Sequence, residues 1–178
     1  DSTFYGNNTV TANVLPYYFG MIDDPYISEQ VEKQIIKAIL DQNDGTVTCG
    51  VIGIGWLMHT LSKMGRTDLA WLLATNKRYP SCGYMTEHGA TAIWELWNGD
   101  TGDPAMNSGN HVMLLGDLII WYYEYLGGIR PLAPGYSKIM LIPYPIKGLD
   151  HVNCSYRSVS GLIESKWKRK GNRFEWDL

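Results

Sequence analysis

From Thr9 to Gly128 the sequence keeps returning to one unit. About a dozen residues carry apolar side chains at helical spacing, and a Gly, Asn or Pro stop follows. Val31, Ile35 and Ile39 fall at i, i+4 and i+8, and Asn43-Asp44-Gly45 ends that run. Ser28 is placed to cap it, with Glu29 in the first turn where the helix dipole favours an acid. Thr9–Ile22 reads as a helix with Val10, Val14, Leu15 and Tyr18 on one side, and Pro16 should kink or interrupt it. Glycines 50, 53 and 55 precede a helix that stops at Gly65; Thr67 is placed to cap the next, with Leu69, Leu72 and Leu73 inward. The glycines match no phosphate-binding spacing and read as a close-packed helix start. Asn110–Leu126 carries His111, Leu115, Leu118 and Tyr122 along one face and stops at Gly127-Gly128. A succession of one-sided helices joined by short turns is the pattern of stacked helical hairpins.

After Arg130-Pro131 the pattern changes. Lys138–Ile142, Val152–Tyr156, Gly161–Trp167 and Arg173–Trp176 are β-prone, with Gly161 and Gly171 at turns, while Thr46–Cys49 reads as a short extended piece. The expected fold class is therefore mainly α, with helices over 1–130 followed by the opening strands of an incomplete β-sandwich over 131–178.

Composition excludes several function classes. A net charge of −3 and the lack of a basic stripe argue against nucleic acid. No signal peptide and no apolar run of bilayer-spanning length occurs, so no membrane partner is expected. Cys49, Cys82 and Cys154 are widely spaced, fit no metal pattern, and are expected to be buried free thiols; no metal or other cofactor is implied. Asp100 and Asp103 lack calcium-loop spacing and read as turn formers. Seven Trp and twelve Tyr are a surplus, which serves core packing and is also what carbohydrate sites use.

The chemistry concentrates between Glu87 and Val112. Glu95 lies between Trp94 and Trp97, a turn-rich loop runs from Asn98 to Ala105, and Asn107–His111 leads into the last helix. A carboxylate beside aromatic walls is a site for a small polar ligand such as a sugar. Asn107 and Ser108 read as helix caps. His59 and His88 have no partner pattern and read as structural or solvated.

Gly89–Glu95 together with Met106–His111 resembles the bacterial α-L-rhamnosidases, glycosidases built on a six-hairpin (α/α) barrel. Tyr79–Met85, Pro134-Gly135-Tyr136 and Ile142–Pro145 extend the resemblance along nearly the whole chain. It implies the C-terminal part of a longer enzyme: the end of a partial (α/α)6 barrel and the start of a C-terminal β-domain. It further implies an inverting hydrolase that releases terminal α-L-rhamnose, with Glu95 as general base, His111 bonded to the sugar, and Trp94 and Trp97 as sugar-stacking candidates. The family's general acid lies upstream, so the 178 residues alone are expected to be inert and to self-associate. Cys82, Leu96 and Gly109 stand where the family commonly has an aromatic, an arginine and a larger residue, which bears on the exact sugar. The rival readings are a non-catalytic carbohydrate-binding or scaffold piece and a six-hairpin glycosidase for another sugar.

Overall fold

The computed structural model describes residues 3–47, 49–111 and 115–178. The chain forms two compact units, 1–118 and 119–178.

The first unit is helical. Helix α1 spans Val10–Tyr18, α2 Pro25–Lys37, α3 Val51–Lys63, α4 Thr67–Thr75 and α5 Cys82–Glu87, while α6, Leu115–Trp121, runs across the division. Thr9 caps α1 by accepting the Ala12 amide, and Val10 and Val14 are buried. Pro16 sits inside α1, and the helix ends two residues later, with Gly20 in the left-handed region at φ 66°. The stripe of Val31, Ile35 and Ile39 is fully buried at 0% exposure, as its spacing requires.

Several helix ends depart from the sequence reading. Helix α2 starts three residues before Ser28: Asp24 accepts from the Tyr26 and Ile27 amides, and Pro25 takes the first helical position. A proline ring preset for that position and an aspartate just before it outweigh the serine further along. Thr67 is likewise the first residue of α4 rather than its cap; Arg66 takes the cap position without a side-chain capping bond, its guanidinium pairing with Asp68 instead. Leu69 and Leu73 are buried in the core, whereas Leu72 is 36% exposed. The glycine-rich start of α3 is a close approach. A Cβ on Gly53 would lie 3.0 Å from Cys49 Cβ, and one on Gly55 would lie 2.7 Å from the Asp117 carboxyl. Thr46–Cys49 is not a strand in its described residues; Thr48 lies outside them.

Polar side chains also brace the core. Asn13, 1% exposed, accepts the Tyr5 amide at 2.8 Å and donates to Asn8 Oδ1 at 2.8 Å. The Tyr17 hydroxyl donates to Glu32 at 2.7 Å; burial first, then that carboxylate, pushes its pKa up to about 12.

The helix expected over 110–126 is shorter. It is described from Leu115, and Asn110 and His111 lie outside helical structure, while residues 112–114 are not described. Its last turn widens to a π-helical turn over Tyr122–Leu126.

The second unit is built on two antiparallel sheets. Strand β1, Ile129–Pro131, pairs with β2, Ile139–Leu141, in the register Ile129↔Leu141. The first strand thus precedes the segment where strands were expected to begin. Strands β3 (His151–Ser158), β4 (Gly161–Lys170) and β5 (Arg173–Asp177) form a meander in the order β3-β4-β5. Ser165 and Trp167 point inward from β4, two residues apart as a pleated strand demands. The Trp167 indole donates to the Leu126 carbonyl at 2.7 Å and Ser165 Oγ donates to the Gly127 carbonyl at 2.6 Å. Both glycines after the helix are required: Gly127 faces Cys154, and a Cβ on Gly128, at φ 74°, would lie 2.3 Å from the Pro143 nitrogen. The Arg130 guanidinium lies over Tyr125 and Tyr144 at 4.5 and 5.2 Å and donates to the Glu124 carbonyl at 2.8 Å.

Candidate active site

The site lies within the first unit, on the chain that follows α5. Ser81 caps α5 by accepting the Tyr84 amide at 2.9 Å and is itself fully buried. Residues 93–95 then run beside 108–111. The Glu95 amide donates to the Ser108 carbonyl at 2.9 Å, and the His111 amide donates to the Ile93 carbonyl at 2.8 Å. Between these arms the chain makes tight turns, with Thr101 and Gly102 amides on the Asn98 carbonyl and Met106 on that of Asp103. Asp103 accepts the Ala105 amide at 2.9 Å, which is the turn-forming role its sequence context implies. Asp100 does something different: it accepts the Tyr84 hydroxyl at 2.9 Å and ties the loop to α5. That bond holds the Tyr84 pKa above its usual value.

An open cleft of about 410 Å³ is lined by Gly50, Tyr79, Glu95, Leu96, Trp97, Asn98 and His111. Three of the four residues singled out from the sequence therefore meet there. Glu95 is partly exposed, and its Oε2 accepts the Ser108 amide at 3.0 Å. His111 Nδ1 stands 3.9 Å from the same oxygen, too long for a hydrogen bond but close enough for attraction when the ring is protonated. The Trp97 indole donates to the Cys49 carbonyl at 2.9 Å, which fixes the ring in the cleft wall.

Trp94 is placed differently. It is 8% exposed and packs with Met85, and a Cβ on Gly99 would lie 2.7 Å from its ring. It supports the loop from beneath and does not line the cleft. Asn107 and Ser108 are not helix caps. Asn107 Oδ1 accepts the Leu96 amide at 3.1 Å, its Nδ2 donates to the Gly99 carbonyl at 3.3 Å, and Ser108 Oγ accepts the Asn110 amide. The helix they were expected to cap is described only from Leu115, so their side chains serve the loop.

Tyr79 was missed. It is 53% exposed on the cleft and meets Tyr84 edge-on at 5.3 Å. The only signal for it lay in the Tyr79–Met85 run. His88 stacks on Tyr84 at 3.9 Å, and His59 lies edge-on to Tyr18. Among the described residues no group of three or more His, Cys, Asp or Glu is arranged to hold a metal.

The comparison with known sequences decides the family. The bacterial α-L-rhamnosidase six-hairpin glycosidase domain matches residues 1–126, and the C-terminal domain of the same proteins matches 128–178.

This chain belongs to the bacterial α-L-rhamnosidase family.

An α-L-rhamnosidase of Formosa agariphila is 31% identical over 180 residues, a match covering 96% of this chain and 19% of that protein. The α-L-rhamnosidase of Dictyoglumus thermophilum superposes with a TM-score of 0.87 at 29% identity, over 98% of this chain and 20% of that one. That of Streptomyces avermitilis, determined as a complex with L-rhamnose, superposes with a TM-score of 0.86 at 25% identity, over 96% of this chain and 17% of that one. The chain thus spans about a fifth of the length of these rhamnosidases. The family accounts for helical hairpins followed by antiparallel sheets.

Proposed function

We propose that this chain supplies the general-base side of an inverting glycoside hydrolase that releases terminal α-L-rhamnose. The observation that carries the reading is the setting of Glu95. A backbone amide holds one carboxylate oxygen in a cleft walled by Trp97 and Tyr79, which leaves the other oxygen for a water. Inverting glycosidases set two carboxyl groups roughly 6.5–9.5 Å apart, so that a water fits between the base and the sugar. Among the described residues lining the cleft, Glu95 is the sole carboxylate. The acid that protonates the leaving oxygen therefore comes from chain beyond these residues. Glu95 takes the proton of the attacking water, and that water's oxygen bonds to the anomeric carbon as the glycosidic bond breaks. Trp97 presents a ring face to the sugar and His111 bonds a hydroxyl, while Trp94 carries the loop from below. We place the change from catalytic to β-domain near residue 130.

The test is the product anomer. Full-length protein acting on an aryl α-L-rhamnoside releases β-L-rhamnose first, seen by proton NMR before mutarotation. First release of the α anomer, or binding without release, would refute the reading. The binding-only alternative and a different sugar are separated by the same assay run on a panel of aryl glycosides. The exposed Phe19 and Met21, at 58% and 70%, also suit self-association of the isolated chain, which sedimentation measures.

A further inference from the structure

We infer that Asn107 is a positioning residue for Glu95, acting through the Leu96 amide; the inference rests on the role proposed above for Glu95. Its side chain is amphoteric, and both ends are used on the same loop. Oδ1 accepts the Leu96 amide at 3.1 Å and Nδ2 donates to the Gly99 carbonyl at 3.3 Å. These two anchors bracket Trp97 and Asn98, the residues that carry the cleft wall. One residue further along the same strand of chain, Ser108 makes two bonds to Glu95, amide to carboxylate at 3.0 Å and carbonyl to amide at 2.9 Å.

The four bonds form one ladder between 95–99 and 107–108, and the Asn107 side chain spans from Leu96 to Gly99, alongside the Gly99 amide bond to the Leu96 carbonyl at 3.1 Å. Backbone bonds alone place Glu95 opposite Ser108, but they leave the peptide after Glu95 unanchored. Its amide would then have to find water, and rotation about that peptide swings the Glu95 Cα and with it the carboxylate. Gly99 has no room to compensate, because it already sits on the Trp94 ring. Leu96 is 39% exposed, so its own side chain does not pin the segment. Asn107 contributes no group to the chemistry; it fixes the direction from which Glu95 meets the water.

This differs from a cap or a plain stabiliser in what it does to the kinetics. Misplacing a catalytic group by about 1 Å costs up to about a hundredfold in rate. Substrate contacts through Trp97 and His111 persist, so binding changes less. The experiment uses the full-length protein with Asn107→Ala, Asn107→Asp and Glu95→Gln on an aryl α-L-rhamnoside. Asn107→Ala is expected to lower kcat by about tenfold or more with KM within about threefold. Asn107→Asp retains the acceptor for the Leu96 amide but loses the donor to the Gly99 carbonyl, and is expected to recover part of the lost kcat. Hydrogen exchange on each folded variant reads the ladder directly: the Leu96 and Ser108 amides exchange faster in Asn107→Ala and stay protected in Asn107→Asp. Wild-type kcat in Asn107→Ala, a change confined to KM, or an Asp variant that fails to recover kcat or Leu96 protection would each overturn the inference. If Asn107→Ala does not fold, the Asp variant decides alone: it must keep Leu96 protection and lose less than about tenfold in kcat. Should Glu95→Gln keep full activity, the reading of Glu95 fails instead, and the two failures are distinguished.

Discussion

Ser108 binds Glu95 twice: its amide donates to Glu95 Oε2 at 3.0 Å, and its carbonyl accepts the Glu95 amide at 2.9 Å. Backbone and carboxylate are thereby held by the same residue, so turning the acid strains both bonds. The catalytic role proposed for Glu95 needs such support, because a loop does not supply the rigidity of a helix or strand.

Replacing Glu95 by Gln keeps the size of the side chain and an oxygen for the Ser108 amide, but removes the proposed base. In the full-length protein kcat on an aryl α-L-rhamnoside is expected to fall by about 10²–10⁴-fold, with a smaller change in KM. Steady-state kinetics measure this, and turnover near wild type would remove Glu95 from the mechanism.

Trp97→Phe keeps a flat ring but loses the indole N–H that donates to the Cys49 carbonyl at 2.9 Å. A net hydrogen bond contributes about 0.5–1.5 kcal/mol, so KM for the same substrate should rise by roughly threefold to tenfold as the wall loosens. An unchanged KM would mean that the ring is held by packing alone.

Two glycines of the second unit separate strain from collision. Gly148 has φ 90° and open space around its Cα, so Gly148→Ala should cost only the left-handed backbone term of about 1–2 kcal/mol. Gly128 has φ 74° and the Pro143 backbone 2.3 Å from where a Cβ would stand. Backbone cannot move aside as a side-chain tip can, so Gly128→Ala should cost at least about 3 kcal/mol. Denaturant unfolding of the two variants compares them directly, and equal losses would contradict the close approach.

The thiols make a pH prediction. Burial pushes Cys49 up to about 12, with Cys82 adding to it, and burial pushes Cys82 up to about 11. An unfolded thiol ionises near 8.5, so above that pH the unfolded chain releases protons that the folded chain retains. Folding stability should therefore be intact below about pH 8.5 and fall as pH rises toward the folded values. Urea unfolding at pH 7 to 10.5 measures the slope, and the Cys49→Ala/Cys82→Ala double variant should flatten it. A double variant with an unchanged slope would assign the loss to other groups.

Much of this molecule was legible in its sequence because the signals were local. The stripe of Val31, Ile35 and Ile39 is set by helical periodicity, and it is buried where the spacing put it. Gly127-Gly128, Gly161 and Gly171 mark chain reversals whose dihedral needs few other residues meet, and Gly128, Gly161 and Gly171 all take positive φ. The family motifs around Glu95 and His111 likewise lie in short runs, and both residues reach the cleft.

What the tertiary structure alone decided concerns choices between near-equivalent residues. Asp24 and Ser28 can both cap a helix, and the outcome turned on where α2 could begin packing, with Pro25 preset for its first turn. Trp94 and Trp97 flank Glu95 and differ little as sequence. Gly99 folds back over one ring and closes it in, while the other ring reaches the Cys49 carbonyl and stays at the cleft. Asn107 reads as a cap from its neighbours, yet its partners are Leu96 and Gly99, residues brought near only when the 98–106 turns close. Periodicity and turn chemistry act over a few residues and are written in the chain; the burial of one ring over another, and the partner of one amide, follow from contacts that exist only once distant segments have met.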